Sequence, residues 1–391
     1  MIRKFETLHG TVKGEMDLRT EAKRWLARFQ APWVTGTSRR SRDRALSPRT
    51  LKTEESPRIL VIAYPPGLGD TVTVTPFLSA LERLYQGSSI SVLAGGETSR
   101  VLGRHPAVSR VIRYEDDWIS KDNKRGPKKS PDERRALRDR LRRENFHAVF
   151  DLLGNYASAR LAASVGSALR IGYSSGFDAF LTHPVADRRF AEAAMPMADY
   201  HLDLLRQVGL EPGHPPPAIT ADLEEETYAE ERAGESGSSG RLVCLAPASA
   251  NPEDEWPARK FAEAADAIIE SAGGRGLLLG AESDRPMLEA VAGRMRTSPL
   301  NLCGCTTVLQ AASLMRRCRL LLSVDTGLMH LGGAVGVKLV ALLRNDNPLW
   351  RPWGKGHRIL TGLGKDPFPG ALRVEDVVRA GRDLLESGTG T

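Results

Sequence analysis

Residues 318–337, CRLLLSVDTGLMHLGGAVGV, carry the pattern from which the rest of the chain is read. An apolar run through Val324 predicts a buried strand that delivers Asp325-Thr326-Gly327 to the start of a short helix carrying His330. Strand, polar turn and helix in that order build an anion site. The first backbone N–H groups of a helix lack intrahelical partners, and the aligned peptide dipoles place partial positive charge at that end. Gly327 permits close approach of a ligand to backbone, and Asp325 and Thr326 are placed to cap the helix or bond a ligand hydroxyl. Aspartic proteases share the Asp-Thr-Gly triplet, but they pair two such carboxylates in a β-rich chain, and here one triplet leads into a helix. An ordinary capped loop is the competing reading of this segment alone.

The same alternation runs outward through the chain. From Arg58 come the strand RILVIAY, a Gly-rich loop, a helix to Tyr85, the strands SISVLA and RVIRY, a basic helical insert, the strand HAVFDLL, a helix from Tyr156, and RIGY. After residue 240 the series repeats: RLVCLAP, a helix from Pro257, RGLLLGA, a helix from Asp284, PLNLCG, a helix from Thr306, RLLLSV, the helix after Asp325, and KLVALL. Strands alternating with helices predict parallel sheets covered on both faces, so the fold class is α/β. The expected division is a basic extension over 1–56, a first Rossmann-like domain over 57–215 with a basic insert at 119–143, a linker over 216–240, and a second Rossmann-like domain over 241–391. The linker rests on the shift to PPP, the acidic run Glu224 to Glu226 and GESGSSG, with room for one strand near Ala218 to Leu223. The last helix is a candidate for packing back on the first domain. Ligands of such sheets bind at the carboxyl ends of the strands, so both loop sets should face one cleft.

Composition narrows the class. At 391 residues and 41% apolar content the chain is of a size for two globular domains. No stretch approaches the roughly 20 apolar residues of a membrane span, and MIRKFETLHG lacks the apolar centre of a signal peptide, so a cytoplasmic location is expected. Cys244, Cys303, Cys305 and Cys318 are expected as reduced, structural thiols, since Cys303-Gly-Cys305 has no second pair or His cluster to complete a metal set. The net charge of +7 is unevenly spread: residues 1–56 hold 13 Lys/Arg against 7 Asp/Glu, and residues 121–143 hold 11 against 4. Such segments attract an anionic acceptor or the inner face of a membrane, or are solvated surface. They lack the interleaved aromatics of a nucleic-acid platform, so no nucleic-acid partner is expected. The stretch Thr35 to Pro57 reads as flexible linker after an amphipathic segment, Glu15 to Phe29.

The first domain's opening loop, Tyr64-Pro65-Pro66-Gly67-Leu68-Gly69-Asp70, superficially matches a dinucleotide fingerprint. The third glycine of that motif is missing, with Val72 in its place, and the next strand ends in Leu93-Ala94-Gly95-Gly96 with no acidic residue. What remains is a glycine turn, Gly67 and Gly69, presenting Asp70 either as a helix cap or as a general base for a sugar hydroxyl. Pro76 must start the following helix or kink it.

Four segments in this order, Gly-Leu-Gly-Asp-x-x-x-x-x-Pro at 67–76, DLLGNYASARLAASVGSALRIGY at 151–173, PASANPEDEWP at 247–257 and SVDTGLMHLGGAVG at 323–336, resemble the lipopolysaccharide heptosyltransferases, glycosyltransferase family nine. The resemblance spans 58 to about 385. It implies a GT-B fold, two Rossmann-like domains facing a cleft, and an inverting, metal-independent transfer from a nucleotide-activated sugar, ADP-heptose in the first instance, to a glycan or other anionic acceptor. No cofactor is implied. Asp70 matches the family's catalytic base, and Asp325, Thr326, Gly327 and His330 its donor-binding segment. Ser249 falls where a hydroxyl touches the donor phosphates, and Glu282 near an acidic residue that contacts the nucleotide, with Asp284 competing for that place. The chain departs from the family at Asp254, where many members carry a phosphate-binding Lys. Either Arg259, Lys260 or another cation replaces it, or the donor differs, or catalysis is lost. A glycosyltransferase with another donor and a small-molecule acceptor, a nucleotide-sugar epimerase and a degenerate sugar-nucleotide-binding protein therefore stay open.

Overall fold

The computed structural model describes residues 47–53, 55–63, 67–96, 98–114, 129–189, 195–235, 241–362 and 372–387. The amphipathic segment Glu15 to Phe29 and the start of the basic insert, up to residue 128, lie outside them. Among the described residues the strands form two six-stranded sheets, both parallel throughout. The first contains β1 (Arg58–Ile62), β2 (Ser89–Ala94), β3 (Val108–Arg113), β4 (Ala148–Asp151), β5 (Leu169–Ser174) and β6 (His183–Ala186), in the order β3-β2-β1-β4-β5-β6. The second contains β7 (Leu242–Ala246), β8 (Arg275–Leu278), β9 (Leu300–Asn301), β10 (Cys318–Val324), β11 (Leu339–Leu343) and β12 (Arg358–Thr361), in the order β12-β11-β10-β7-β8-β9. Counted from its own first strand, each sheet has the doubly wound order whose direction reverses between strands one and four. That reversal opens a crevice at the strands' carboxyl ends, beside β1 and β4 in one sheet and β7 and β10 in the other.

Central strands are buried on both faces, and alternate residues serve opposite cores. Ile59 and Val61 pack with Phe77, Leu81 and Leu202 on one face, while Leu60 and Ile62 pack with Leu137, Leu141 and Leu161 on the other. The helices of the first domain are α1 (Leu68–Leu84), α2 (Thr98–Gly103), α3 (Pro131–Arg143), α4 (Tyr156–Val165) and α5 (Met197–Gln207). Pro76 lies well inside α1. Without a proline N–H the Val72 carbonyl loses its usual helical donor. The Thr75 hydroxyl takes that place at 2.8 Å, and the Thr75 carbonyl is met by His105 Nε2 at 3.1 Å.

Three expected features differ in the structure. The end of the flexible leader is ordered: Thr50–Thr53 form a 3-10 turn, Leu51 is fully buried, and the Tyr85 hydroxyl donates to Pro48 O at 2.9 Å. The acidic part of the linker is helix α6 (Leu223–Glu235), with no strand near Ala218. Its Glu226 accepts from the Ser313 hydroxyl (2.7 Å) and Arg317 Nη1 (2.6 Å), which fastens α6 to α9 (Val308–Arg316). The last helix, α11 (Val374–Glu386), packs on α7 (Ala258–Ala272) within the second domain through Val377, Ala380 and Leu384, not back on the first. Lys338 and Arg319 donate to its last-turn carbonyls, Leu384 O at 2.6 Å and Leu385 O at 3.3 Å, where the helix dipole favours cations. No helix among the described residues is long and apolar enough to cross a membrane.

Candidate active site between the two domains

Two helix N-termini meet at the domain boundary. In the first domain, Gly67 is extended (φ −143°, ψ 175°) and its carbonyl accepts both the N–H (3.1 Å) and hydroxyl (2.8 Å) of Thr71, which fixes the first turn of α1. Asp70 stands in that turn, half-buried, where the helix dipole favours its carboxylate. In the second domain, Thr326 is the extended N-cap of α10 (Gly327–Val335), and its side chain makes no capping bond. Met329 N–H turns back to Thr326 O at 3.0 Å, so among the described residues the N–H groups of Gly327 and Leu328 are the ones facing outward for a ligand.

The junction is built by glycine. A Cβ on Gly69 would lie 2.7 Å from His330 Cδ2, and one on Gly327 would lie 2.8 Å from Leu68 Cβ. Both contacts are closer than real side chains allow, so the two helix starts approach at a distance that only a bare Cα permits. Val72 of α1 joins Met329 and Leu331 of α10 in one apolar cluster behind the junction. His330 is 5% exposed, with its ring edge-on to Trp350 at 6.2 Å between centroids. Burial pushes its pKa down to about 4, so it is a neutral imidazole at neutral pH.

At the carboxyl ends of β7, β10 and β11 lies a cavity of about 270 Å³, lined by residues that include Asn251, Asp254, Asp325, Arg344, Asn347 and Trp350. Asp325 is pushed up to about 6, first by burial and second by the charge of Asp254. Ser249 is half-buried in the loop that supplies Asn251 and Asp254, and its hydroxyl accepts from Asn251 N at 3.3 Å. Glu282 stands on the 3-10 turn after β8, exposed, with both carboxylate oxygens on Arg285 (2.6 and 2.5 Å). Its competitor Asp284 accepts from Ala281 N at 2.8 Å and so closes the same turn. Thus Gly69, with Leu68, meets Gly327 and His330 directly, Gly67 and Asp70 belong to the same helix start, and Asp325 lines the cavity, while Ser249 and Glu282 are not among the lining residues.

Arg344, Asn347 and Trp350 were not expected as site residues. Arg344 is the first polar residue after the apolar run of β11, the same position that singled out Asp325 after β10. Among the described residues no group of three or more His, Cys, Asp or Glu is placed to hold a metal ion. Cys244, Cys303, Cys305 and Cys318 are free thiols.

The model of glycosyltransferase family 9 (heptosyltransferase) matches residues 134–367, more than half of the chain. The chain belongs to glycosyltransferase family 9. This family 9 glycosyltransferase is 25% identical over 324 residues to lipopolysaccharide heptosyltransferase 2 of Escherichia coli (strain K12), covering 79% of this chain and 90% of the relative. Its fold is similar to that of a family 9 glycosyl transferase from Veillonella parvula DSM 2008, with a TM-score of 0.73, 25% identity, and 85% and 98% of the two chains covered. The E. coli ADP-heptose LPS heptosyltransferase II has the same fold at a TM-score of 0.69 and 23% identity, with 84% and 98% covered. The two facing Rossmann-like sheets are those of the GT-B fold.

Proposed function

We propose that this glycosyltransferase moves heptose from ADP-heptose to a hydroxyl of a lipopolysaccharide-core-like glycan, with inversion at the anomeric carbon and without a metal ion. The observation that carries the reading is the contact between the first turn of α1, which holds Asp70, and the first turn of α10, which offers its backbone N–H groups. The donor and acceptor classes follow those of its relatives, a lipopolysaccharide heptosyltransferase and an ADP-heptose LPS heptosyltransferase.

In this reading the donor lies on the second domain. Its diphosphate faces the N-terminus of α10 at Thr326 and Gly327, with Ser249, Asp325 and Glu282 as further donor contacts. His330, neutral and wedged behind Gly69, holds the two helix starts in register. The acceptor enters from the first domain, and the Asp70 carboxylate takes the proton of its attacking hydroxyl. The new glycosidic C–O bond forms as the anomeric C–O bond to the diphosphate breaks, and the electron pair leaves on the diphosphate. Attack opposite the leaving group inverts the centre. Backbone dipoles of α10 are preorganised for the charge that develops on the departing oxygen, the task a metal ion performs in other transferases.

The arginines of α3 give the first domain an exposed basic face, with Arg134 and Arg135 beside the Lys129–Glu133 ion pair (3.1 Å). That face suits a phosphorylated acceptor or the cytoplasmic surface of a membrane. The test is a donor panel of ADP-heptose beside ADP-, GDP- and UDP-hexoses, assayed in EDTA with and without a core-glycan acceptor. ADP-heptose should be consumed, with acceptor-dependent transfer undiminished by EDTA. Turnover of another donor, a need for added divalent ion, or conversion of the donor sugar without acceptor would overturn the corresponding part of the reading.

A further inference from the structure

The donor cavity presents an electrostatic contradiction that the structure also resolves. Glu253, Asp254 and Asp325 place three carboxylates in or beside a space read as holding a diphosphate. Among the described residues that line it, Arg344 is the sole cation. The two cations the sequence offered as alternatives turn elsewhere: Lys260 Nζ reaches Leu372 O at 3.4 Å, and Arg259 lines a groove between α7 and α11.

The partners of Arg344 are unequal. Its Nε lies 3.1 Å from Asp254 Oδ1, and the other oxygen of Asp254 accepts from Asn251 Nδ2 at 2.7 Å, so Asp254 is fixed in its loop and half-buried. Glu253 bonds Nη2 but its side chain is 73% exposed, so water readily replaces that pairing. The Nη1 donors have no partner among the described residues. A guanidinium presents donors as a planar fork that matches phosphate oxygens two at a time.

We propose that Arg344 is the residue that binds the donor's diphosphate, with Asp254 anchoring its Nε and Glu253 occupying the phosphate position on Nη2 until the nucleotide displaces it. The acidic run at 253–254 then positions the cation and does not repel the ligand. This inference rests on the reading of the cavity as the nucleotide-diphosphate site.

Titration of the full chain with ADP, AMP and adenosine separates the possibilities. Arg344→Gln should weaken ADP about ten- to hundredfold, as expected for losing a charge-assisted bidentate contact, while adenosine binding stays within about twofold. Arg344→Lys should recover part of the loss, because charge returns without the fork. Glu253→Gln should tighten ADP by about two- to fivefold, since a competing exposed partner is removed. That gain is an effect no structural role of Arg344 would produce. Equal ADP affinity in wild type and Arg344→Gln, in a variant whose melting temperature is unchanged, overturns the inference and leaves the nucleotide reading standing. Equal loss for ADP and adenosine in both Arg344 variants also overturns it, as does weaker ADP binding in Glu253→Gln. A wild type that binds no nucleoside diphosphate brings down the reading of the cavity, and the inference with it.

Discussion

Asp325 holds its charge at the expense of the fold. Burial, and after it Asp254, raises its pKa from 3.8 to about 6, so the ionised form is disfavoured in the folded protein relative to the unfolded chain. For a carboxyl raised in this way, the penalty is full above pH 6, fades as pH falls through 6, and is gone below about 4. Asp325→Asn should therefore stabilise the unliganded protein at pH 7.5 by about 1–2 kcal/mol, a value reduced for the partial exposure of the site. Denaturant titration at pH 7.5 and pH 4 measures this: the gain should be present at the first and vanish at the second, and a variant less stable than wild type at pH 7.5 would contradict it. His330 differs in kind. Its place on the short helix after Asp325 was legible from spacing, but its neutrality was not, because that follows from Gly69 and Trp350 closing around it from distant parts of the chain.

The junction of α1 and α10 depends on the absence of side chains at Gly69 and Gly327. Gly69→Ala would place a methyl 2.7 Å from His330 Cδ2, and a buried ring between Gly69 and Trp350 has little room to give. A loss of about 1–3 kcal/mol in stability is expected from such overpacking, together with reduced transfer. Thermal unfolding with an activity assay checks both, and an unperturbed variant would show that the two helix starts can separate freely. The ordered turn at Thr50–Thr53 makes a second claim on this scale. Leu51 is fully buried among residues that include Tyr85, so Leu51→Ala should destabilise by about 2–5 kcal/mol. No measurable loss would return this segment to the flexible leader that its Arg, Ser and Pro content predicted. Composition misled here, and again at Leu223–Glu235, for one physical reason. Each segment has few apolar residues of its own, Pro48 and Leu51 in one and Tyr228 and Ala229 in the other, and its order comes from partners elsewhere in the chain, Tyr85 for one and Ser313 and Arg317 for the other.

At the scale of the molecule, the strand and helix periodicity made both parallel sheets legible, because buried runs such as RILVI and RLLLSV are bounded by glycine and polar turns. The edge strands β6 and β12 were not, since HPVA and RILT are four residues long and only partly buried. The division of labour in the proposed mechanism, with Asp70 as base on the first domain and the donor contacts on the second, has the sharpest consequence. A substitution of the base should therefore separate donor binding from turnover. Asp70→Asn keeps the side chain's shape and removes its basicity, so ADP affinity by calorimetry should stay near wild type while steady-state transfer from ADP-heptose falls by about two to four orders of magnitude. Near-normal transfer by Asp70→Asn, with ADP affinity intact, would contradict the account and return Asp70 to the role of a carboxylate stabilising a helix start.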